Sequence, residues 1–271
     1  MNQVNAKFIT DDSITFKYAK GASSETGKEF HSFHEIIYFM GGEANFISES
    51  IQTVLKPNTL IVIPCETYHQ LQITGSQKDY HRCVFHFLEI PNLKDLIIHS
   101  THCTMLIEMT PALHFLFQQM IALTEPQNET ENRPQLMHAI LTLLLHEIST
   151  HNSAKLESMV PTTISEKCIA YIANHIHQPI SVDDIAKELN VSVSHLAHSF
   201  KKQMNISIHQ YVLKKKLATA HHKIMDGKSA TQAAMECGFN DYSGFYKQFK
   251  KTYHIAPSEY KSKHFGNENF E

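Results

Sequence analysis

A pattern of two short helices joined by a tight turn occurs twice in the last hundred residues of this 271-residue chain. In each copy, the second helix carries two large apolar residues four positions apart. These pairs are Leu196 with Phe200 and Phe245 with Phe249, and they lie 49 residues apart. The spacing predicts two helix-turn-helix units, joined by a long helix at Ile208–Met225.

Capping residues indicate where these helices begin and end. Ser181 and Asp241 are residue types that cap the free backbone N–H groups of a helix start. Asn190 and Gly238 are residue types that adopt the left-handed backbone conformation found at helix ends. These signals place a turn between the two helices of each unit.

The charge of the chain divides at the start of this segment. Residues 1–164 carry a net charge of −7, whereas residues 165–264 carry +6, all of their cations being lysines. A basic segment in an otherwise acidic chain favours a polyanionic partner. A lysine-rich helical surface without such a partner is the alternative.

The N-terminal part predicts strands followed by helices. From Phe8 to Leu88, short β-branched and aromatic runs alternate with turn signals, which is typical of an all-β barrel or sandwich. Further on, the apolar spacing becomes helical, and Pro134 begins the second of two helices. Since one apolar face suffices to cover a barrel, we expect the helices at 111–124 and 134–151 to form a homodimer interface. Burial inside their own domain is the alternative.

We therefore expect an α+β chain of two domains. Residues 1–151 form the N-terminal domain, 152–163 a polar linker and 164–264 an all-α domain. The chain contains no run of about 18 apolar residues, so a membrane helix is not expected. The first residues also lack the apolar core of a signal peptide. The five irregularly spaced cysteines predict reduced thiols. These features together predict a cytoplasmic protein.

Several short motifs follow one another between Ser181 and Lys261. They are Val182-Asp183-Asp184-Ile185-Ala186, Val193-Ser194-His195-Leu196, Phe200-Lys201-Lys202, Ala233, Gly238-Phe239-Asn240-Asp241, Phe245-Tyr246-Lys247-Gln248-Phe249-Lys250-Lys251 and Ala256-Pro257-Ser258-Glu259-Tyr260. In this order they resemble the AraC/XylS family of bacterial transcription regulators. The first 160 residues are similar to the cupin-like sensor arm of that family, through His34-Glu35-Ile36-Ile37-Tyr38, Leu55-Lys56-Pro57-Asn58 and Ile63-Pro64 before His69.

The resemblance implies a cupin-like β-barrel with a helical pair, followed by two helix-turn-helix units that bind promoter DNA. It places base-reading residues on the exposed face of each second helix. These candidates are Ser194, Ala197, His198, Tyr242, Ser243, Tyr246 and Lys247. Candidate phosphate contacts are Lys201, Lys202, Lys214, Lys215, Lys250 and Lys251. A small-molecule effector is expected in a pocket at the barrel mouth, lined by His34, Tyr38 and His69.

One departure concerns arginine, which reads guanine through two hydrogen bonds. The only arginines are Arg82 and Arg133, both outside the basic segment. Ala197 offers a methyl group, which suits contact with the thymine methyl. We therefore expect A·T-tolerant recognition that depends on phosphate contacts and DNA shape.

The N-terminal part is also rich in histidine near a glutamate. The set comprises His31, His34, Glu35, His69, His81 and His86. Metal-dependent cupins use such residues, but on a regular strand His31 and His34 would point to opposite faces. With 20 histidines in the chain, some clustering is expected by chance. We therefore expect neither a metal nor another cofactor.

The sequence thus predicts a DNA-binding regulator that is not an enzyme. Its partners are promoter DNA, a small-molecule effector and a second copy of the chain, with RNA polymerase as a further candidate and no membrane. We expect an activator, although the sequence does not distinguish activation from repression. Two alternatives stay open: a cupin metalloenzyme with a helical tail, and a regulator whose arm binds a protein partner.

Overall fold

The described residues of the computed structural model are 5–21, 29–49, 51–76, 78–88, 90–100, 104–152, 163–204 and 206–259. Contacts divide the chain into two units, Met1–Met159 and Val160–Glu271. The first is β-rich and the second is helical, which confirms the predicted fold class. Most of the predicted linker lies outside the described residues, at positions 153–162.

Nine strands form two antiparallel sheets in the described part of the first unit. They are β1 (Asn5–Thr10), β2 (Ile14–Lys20), β3 (His34–Gly41), β4 (Ala44–Ser48), β5 (Gln52–Val54), β6 (Thr59–Ile63), β7 (His69–Ile73), β8 (His81–Phe87) and β9 (Met105–Glu108). The larger sheet has the order β1-β2-β8-β3-β6-β9, and the smaller has β5-β4-β7. The predicted barrel is thus built as a six-stranded and a three-stranded layer.

Strand β3 contributes to two separate cores because its side chains alternate between the faces of the sheet. Ile37 and Phe39 pack with Phe46 and Leu71 of the smaller sheet, filling the space between the layers. On the opposite face, Ile36 and Tyr38 pack toward helices. Every side chain of β3 therefore has a defined side, and the side facing the smaller sheet is called the inner face below.

Among the described residues of the first unit, three α-helices accompany the sheets: α1 (Lys94–Ser100), α2 (Pro111–Leu123) and α3 (Arg133–Asn152). The predicted broad apolar side of α3 is mostly buried within its own domain, since Leu141, Leu144 and Leu145 are each 0% exposed. Leu136 and Leu143, seven positions apart, remain 44% and 52% exposed. Burial within the domain therefore accounts for most of the apolar side, while these two leucines form an exposed ridge on α3.

The second unit consists of six described helices. They are α4 (Ile164–His175), α5 (Val182–Glu188), α6 (Val193–Met204), α7 (Ile208–Met225), α8 (Ala230–Glu236) and α9 (Tyr242–Tyr253). The two helix-turn-helix units are α5–α6 and α8–α9, with α7 between them. The predicted turn conformations are confirmed, with φ of 54° at Asn190 and 66° at Gly238. None of the described helices is long and apolar enough to cross a membrane.

Within the helical unit, a buried lysine connects the segment before the first helix-turn-helix to the turn of the second. The ammonium group of Lys216, on α7, donates hydrogen bonds to the carbonyl oxygens of Gln178 and Gly238, each at 3.0 Å. Lys216 is only 7% exposed. Because a buried ammonium group needs acceptors, these two bonds stabilise one arrangement of the helix ends.

Candidate DNA-binding helices and a histidine–glutamate cluster

Helix α6 presents one buried and one exposed side. The Ser192 hydroxyl accepts a hydrogen bond from the His195 N–H at 3.2 Å and so caps its first turn. Leu196 and Phe200 are fully buried. The candidate base readers Ser194, Ala197 and His198 are exposed on the remaining surface.

Helix α9 repeats this arrangement with bulkier exposed residues. The Asp241 carboxylate accepts a hydrogen bond from the Gly244 N–H at 2.6 Å, capping the helix start. Phe245 and Phe249 are fully buried. The candidate readers Tyr242, Ser243 and Lys247 are exposed, whereas Tyr246 is half-buried.

The six candidate phosphate-binding lysines fall into two groups. Four are exposed at the ends of the second helices: Lys201, Lys202, Lys250 and Lys251. Lys214 and Lys215 lie on α7 and are half-buried. Burial lowers the pKa of Lys214, and the Lys215 ammonium lies 6.0 Å from the centre of the Tyr211 ring. The four exposed lysines are therefore better placed for contact with a polyanion.

A cluster of three histidines surrounds one buried carboxylate in the N-terminal unit. Glu35 of β3 is 3% exposed and points to the inner face. Its Oε2 atom lies 3.0 Å from Nε2 of His69 and 3.4 Å from Nε2 of His31. Its Oε1 atom lies 2.9 Å from Nε2 of His86. Strand pairing explains the contact with His86, because Glu35 is opposite His86 in the register of β3 and β8. His69 comes from the facing sheet, where it begins β7.

The cluster favours opposite charges. Burial raises the pKa of Glu35, but hydrogen bonds with His31, His69 and His86 outweigh it and hold the pKa well below its usual value. Burial likewise lowers the pKa of His69, but the hydrogen bond with Glu35 and its charge outweigh it and raise that pKa. A carboxylate surrounded by imidazole nitrogens is therefore the stable form of this site.

The structure does not bring the predicted pocket residues His34, Tyr38 and His69 into one site. Tyr38 lies on the face of β3 opposite Glu35, where its hydroxyl donates to Oδ1 of Asn58 at 2.9 Å and lies 3.1 Å from Nδ1 of His114. His34 is on that same face, stacked on the Phe87 ring. Of the three, only His69 belongs to the inner cluster.

Sequence reasoning missed the roles of His31 and His86. His31 precedes β3 rather than lying in it, so the argument from strand alternation does not apply to this residue. His86 could have been found from period-two alternation, which places it on the same face of β8 as Val84 of the inner core. The contact with Glu35 itself depends on the register of the strands, which the sequence does not give.

A groove lies on the outside of the same unit, with a volume of about 890 Å³. It is lined by residues 53–59, residues 106–111 and the α2 side chains of His114, Phe115 and Gln118. Through His114 it adjoins the Tyr38 hydroxyl. Its volume lies in the range common for small-molecule sites.

Comparison with known protein families decides the assignment. A family model described as an AraC-like ligand binding domain matches residues 13–158, more than half of the chain. The chain belongs to the AraC/XylS family. A second model, a helix-turn-helix domain, matches residues 185–263 of this AraC/XylS regulator and covers both candidate reading helices.

Relatives of this AraC/XylS regulator match either most of the chain or about a third of it. The transcriptional activator RhaR of Mannheimia succiniciproducens is 24% identical over 238 residues, which is 86% of each chain. The probable transcriptional regulator LumQ of Photobacterium leiognathi is 36% identical over 91 residues, which is 33% of this chain and 37% of LumQ. Among solved structures, ToxT of Vibrio cholerae O395 aligns over 96% of both chains with 13% identity and a TM-score of 0.40.

Proposed function

We propose that this AraC/XylS regulator recognises promoter DNA with the exposed sides of α6 and α9. The observation that carries the proposal is the repeated division of these helices. In each, a fully buried apolar pair four residues apart anchors one side, and the candidate readers are exposed except for the half-buried Tyr246. A helix anchored in this way can enter the major groove without losing its packing.

The chemistry of the exposed residues favours recognition of A·T-containing sites. Ala197 offers a methyl group for a thymine methyl, while Lys247 is a point charge rather than a two-pronged donor. Sequence preference would then depend partly on DNA shape. The exposed lysines at the ends of α6 and α9 supply phosphate contacts that fix the register of the protein on the duplex.

The first experiment identifies the DNA. Untagged full-length protein is incubated with fragments of its genome, and the retained fragments are sequenced. We expect enrichment of a limited set of intergenic fragments that share an A·T-containing motif. Retention of all fragments in proportion to their abundance would contradict sequence-specific recognition.

A salt titration on one retained fragment tests the phosphate contacts. Each phosphate-bound lysine contributes about 0.9 to the slope of log affinity against log salt concentration. Lys250→Gln combined with Lys251→Gln should reduce that slope by about 1.8, whereas Lys20→Gln, an exposed lysine of β2, should leave it unchanged. Affinity of the wild type that barely falls with salt would count against the assignment.

The proposal includes an effector bound by the N-terminal domain. We place it in the groove lined by His114, because a polar edge and an apolar surface meet there. An effector acts only through different affinities for two arrangements of the protein. Cell extract should change the fraction of DNA retained by the wild type but not by His114→Ala. An extract without effect on the wild type would argue against effector control.

Dimerisation through the exposed ridge on α3 completes the proposal. Leu136 and Leu143 form the exposed ridge of α3 in the isolated chain, and a second copy would remove both from water. Sedimentation should give a dimer for the wild type and a monomer for Leu136→Glu combined with Leu143→Glu. A wild-type monomer at micromolar concentration would exclude this interface.

The last step of the proposal is that the DNA-bound dimer contacts RNA polymerase and acts as an activator in the cytoplasm. Transcription in a purified system tests this step.

A further inference from the structure

Two histidines of the cluster around Glu35, His31 and His69, also form hydrogen bonds with backbone carbonyl groups. Nδ1 of His31 lies 2.8 Å from the carbonyl oxygen of Phe33, and Nδ1 of His69 lies 2.9 Å from that of Thr67. A carbonyl oxygen only accepts, so both Nδ1 atoms carry hydrogen and donate it. In the neutral ring, each Nε2 atom then presents a lone pair.

Both lone pairs point at an acceptor. The Nε2 atoms of His31 and His69 approach the same carboxylate oxygen, Oε2 of Glu35, at 3.4 and 3.0 Å. A nitrogen lone pair at this distance from a carboxylate oxygen repels it unless a positive charge lies between the two atoms. Either a second proton on the rings or a metal ion supplies that charge, and this pattern of Nδ1 donors and inward Nε2 atoms is typical of metal-binding histidines.

The distances fit a metal ion. Ligands about 2.0–2.1 Å from a tetrahedral Zn²⁺ ion are separated from each other by about 3.3 Å. The two Nε2–Oε2 separations are close to this value. Glu29 adds a fourth donor: its backbone pairs with that of His69, and one donor atom of each of Glu29, His31, Glu35 and His69 lies within 4.8 Å of the others.

The remaining histidine orients the carboxylate. His86 contacts Oε1 of Glu35 at 2.9 Å, which leaves Oε2 directed toward His31 and His69. Such a contact outside the ligand set is a usual feature of metal sites. Since the side chains of Glu35 and His69 are 5% and 3% exposed and that of His31 is 11% exposed, an ion would be shielded from bulk water but reachable along the His31 side.

We propose that His31, Glu35 and His69, with Glu29 as a fourth donor, bind one divalent first-row transition-metal ion. Two imidazole nitrogens select such ions over Mg²⁺ or Ca²⁺, which prefer oxygen ligands alone. The site ties the loop before β3 to the first residue of β7, so it would connect the two sheets. Binding at this site requires neither DNA nor the helix-turn-helix units.

The test uses untagged full-length protein stripped of metal with a chelator, because a histidine tag would itself bind the probe. Titration with Zn²⁺ is followed by calorimetry, and Co²⁺ is followed by its visible absorption spectrum. We expect one tight equivalent and a Co²⁺ spectrum with nitrogen and oxygen ligands. Absence of a stoichiometric binding event overturns the proposal and leaves doubly protonated histidines as the source of the charge.

Variants locate the site. Glu35→Gln keeps the size of the side chain closely, and His31→Gln keeps it approximately. Each substitution should weaken Zn²⁺ binding at least tenfold. His86→Gln should also weaken it, since orienting residues typically contribute 10–100-fold. His146→Gln, an exposed histidine of α3, is the matched control. Equal affinity in Glu35→Gln and wild type would place the metal elsewhere and overturn the assignment.

Folding of the variants is checked independently. His31 precedes β3, and its replacement is the least disruptive of the three. If His31→Gln keeps the wild-type circular dichroism spectrum and loses the Co²⁺ bands, the loss belongs to the ligand set. If it keeps both the spectrum and the bands, His31 is not a ligand and the proposed site is wrong.

Discussion

The two helix-turn-helix units have buried apolar anchors at equivalent positions but differ at their turns and on their exposed surfaces. In the first unit the candidate readers are Ser194, Ala197 and His198, of which the first two are small. The second unit exposes Tyr242 and Lys247, which bring an aromatic ring and a permanent cation. Packing thus fixes the scaffold in both units, whereas the exposed residues are free to differ, and the second unit carries the stronger donors.

The turns differ because of the residues that pack around Gly238. Asn190 and Gly238 lie 48 residues apart and both have positive φ. A Cβ atom at Gly238 would lie 2.9 Å from the ammonium nitrogen of Lys216 and 3.3 Å from the carbonyl oxygens of Gln178 and His177. The second turn therefore requires glycine for space as well as for conformation, and its neighbours determine this.

The largest expected effect tests whether the anchors are equivalent. Phe200→Ala and Phe249→Ala each remove a fully buried ring and should lower the free energy of unfolding by about 3–5 kcal/mol. Denaturant unfolding followed by circular dichroism measures both. Met235→Ala, at a position that is 72% exposed, should change stability by less than about 0.5 kcal/mol. A small loss in only one phenylalanine variant would show that the two anchors are not equivalent.

Exchanging the two turn residues isolates the role of space. Gly238→Asn should lower the free energy of unfolding by about 1–3 kcal/mol, because asparagine tolerates positive φ but its Cβ meets Lys216 and two carbonyls. Asn190→Gly should stay within about 0.5 kcal/mol of the wild type. The same unfolding experiment serves, and equal stability of both variants would refute the steric explanation.

Alanine variants of the readers test whether the second unit dominates recognition. Lys247→Ala should weaken binding to a retained fragment roughly tenfold, about 1.4 kcal/mol, through loss of a cation on α9. His198→Ala on α6 should weaken it less. Fluorescence anisotropy at one fixed salt concentration measures both affinities. A larger loss for His198→Ala would reverse the order of the two units.

The smallest effect concerns the C-terminal ends of α5 and α8, the first helices of the two helix-turn-helix units. Glu236 of α8 pairs with Lys223 and Lys228, and hydrogen bonds from these lysines lower its pKa from 4.5 to about 2. Its contribution to stability is therefore complete above pH 4.5 and is lost as the pH falls through about 2. Glu236→Gln should lower the thermal midpoint slightly at pH 7 and by much less at pH 2, where half of the carboxyl groups are protonated. Glu188→Gln, at the equivalent exposed position of α5, is the control, and a loss that is undiminished at pH 2 would rule out the ion pairs as its cause.

Local patterns predicted the helical domain well. Caps, apolar spacing and left-handed turn residues are properties of neighbours in the chain, so Ser181, Asn190 and Phe249 could be placed from the sequence alone. Short strands were also found, although β9 and α1 were not predicted. Their few residues give a weak periodic signal, and their position depends on pairing with β6 and packing on α3.

The residues of the histidine–glutamate cluster could be named from the sequence, but their contacts with one another could not be predicted, for a physical reason. Its members come from a loop and three strands of two different sheets, and their distances depend on strand register. Alternation along β3 correctly separates Glu35 from Tyr38, but nothing local indicates that His69 faces Glu35 across the layers. The pairing of residues far apart in the chain is therefore what could not be predicted from the sequence.

The bonds of Lys216 have a consequence for the geometry of the DNA target. Because this side chain links the segment before α5 to the turn before α9, its two hydrogen bonds favour one separation of the two candidate reading helices. Each base pair adds about 3.4 Å to a duplex and rotates the next contact around its axis. A target whose two half-sequences are moved apart by a single inserted base pair should therefore engage one helix at a time.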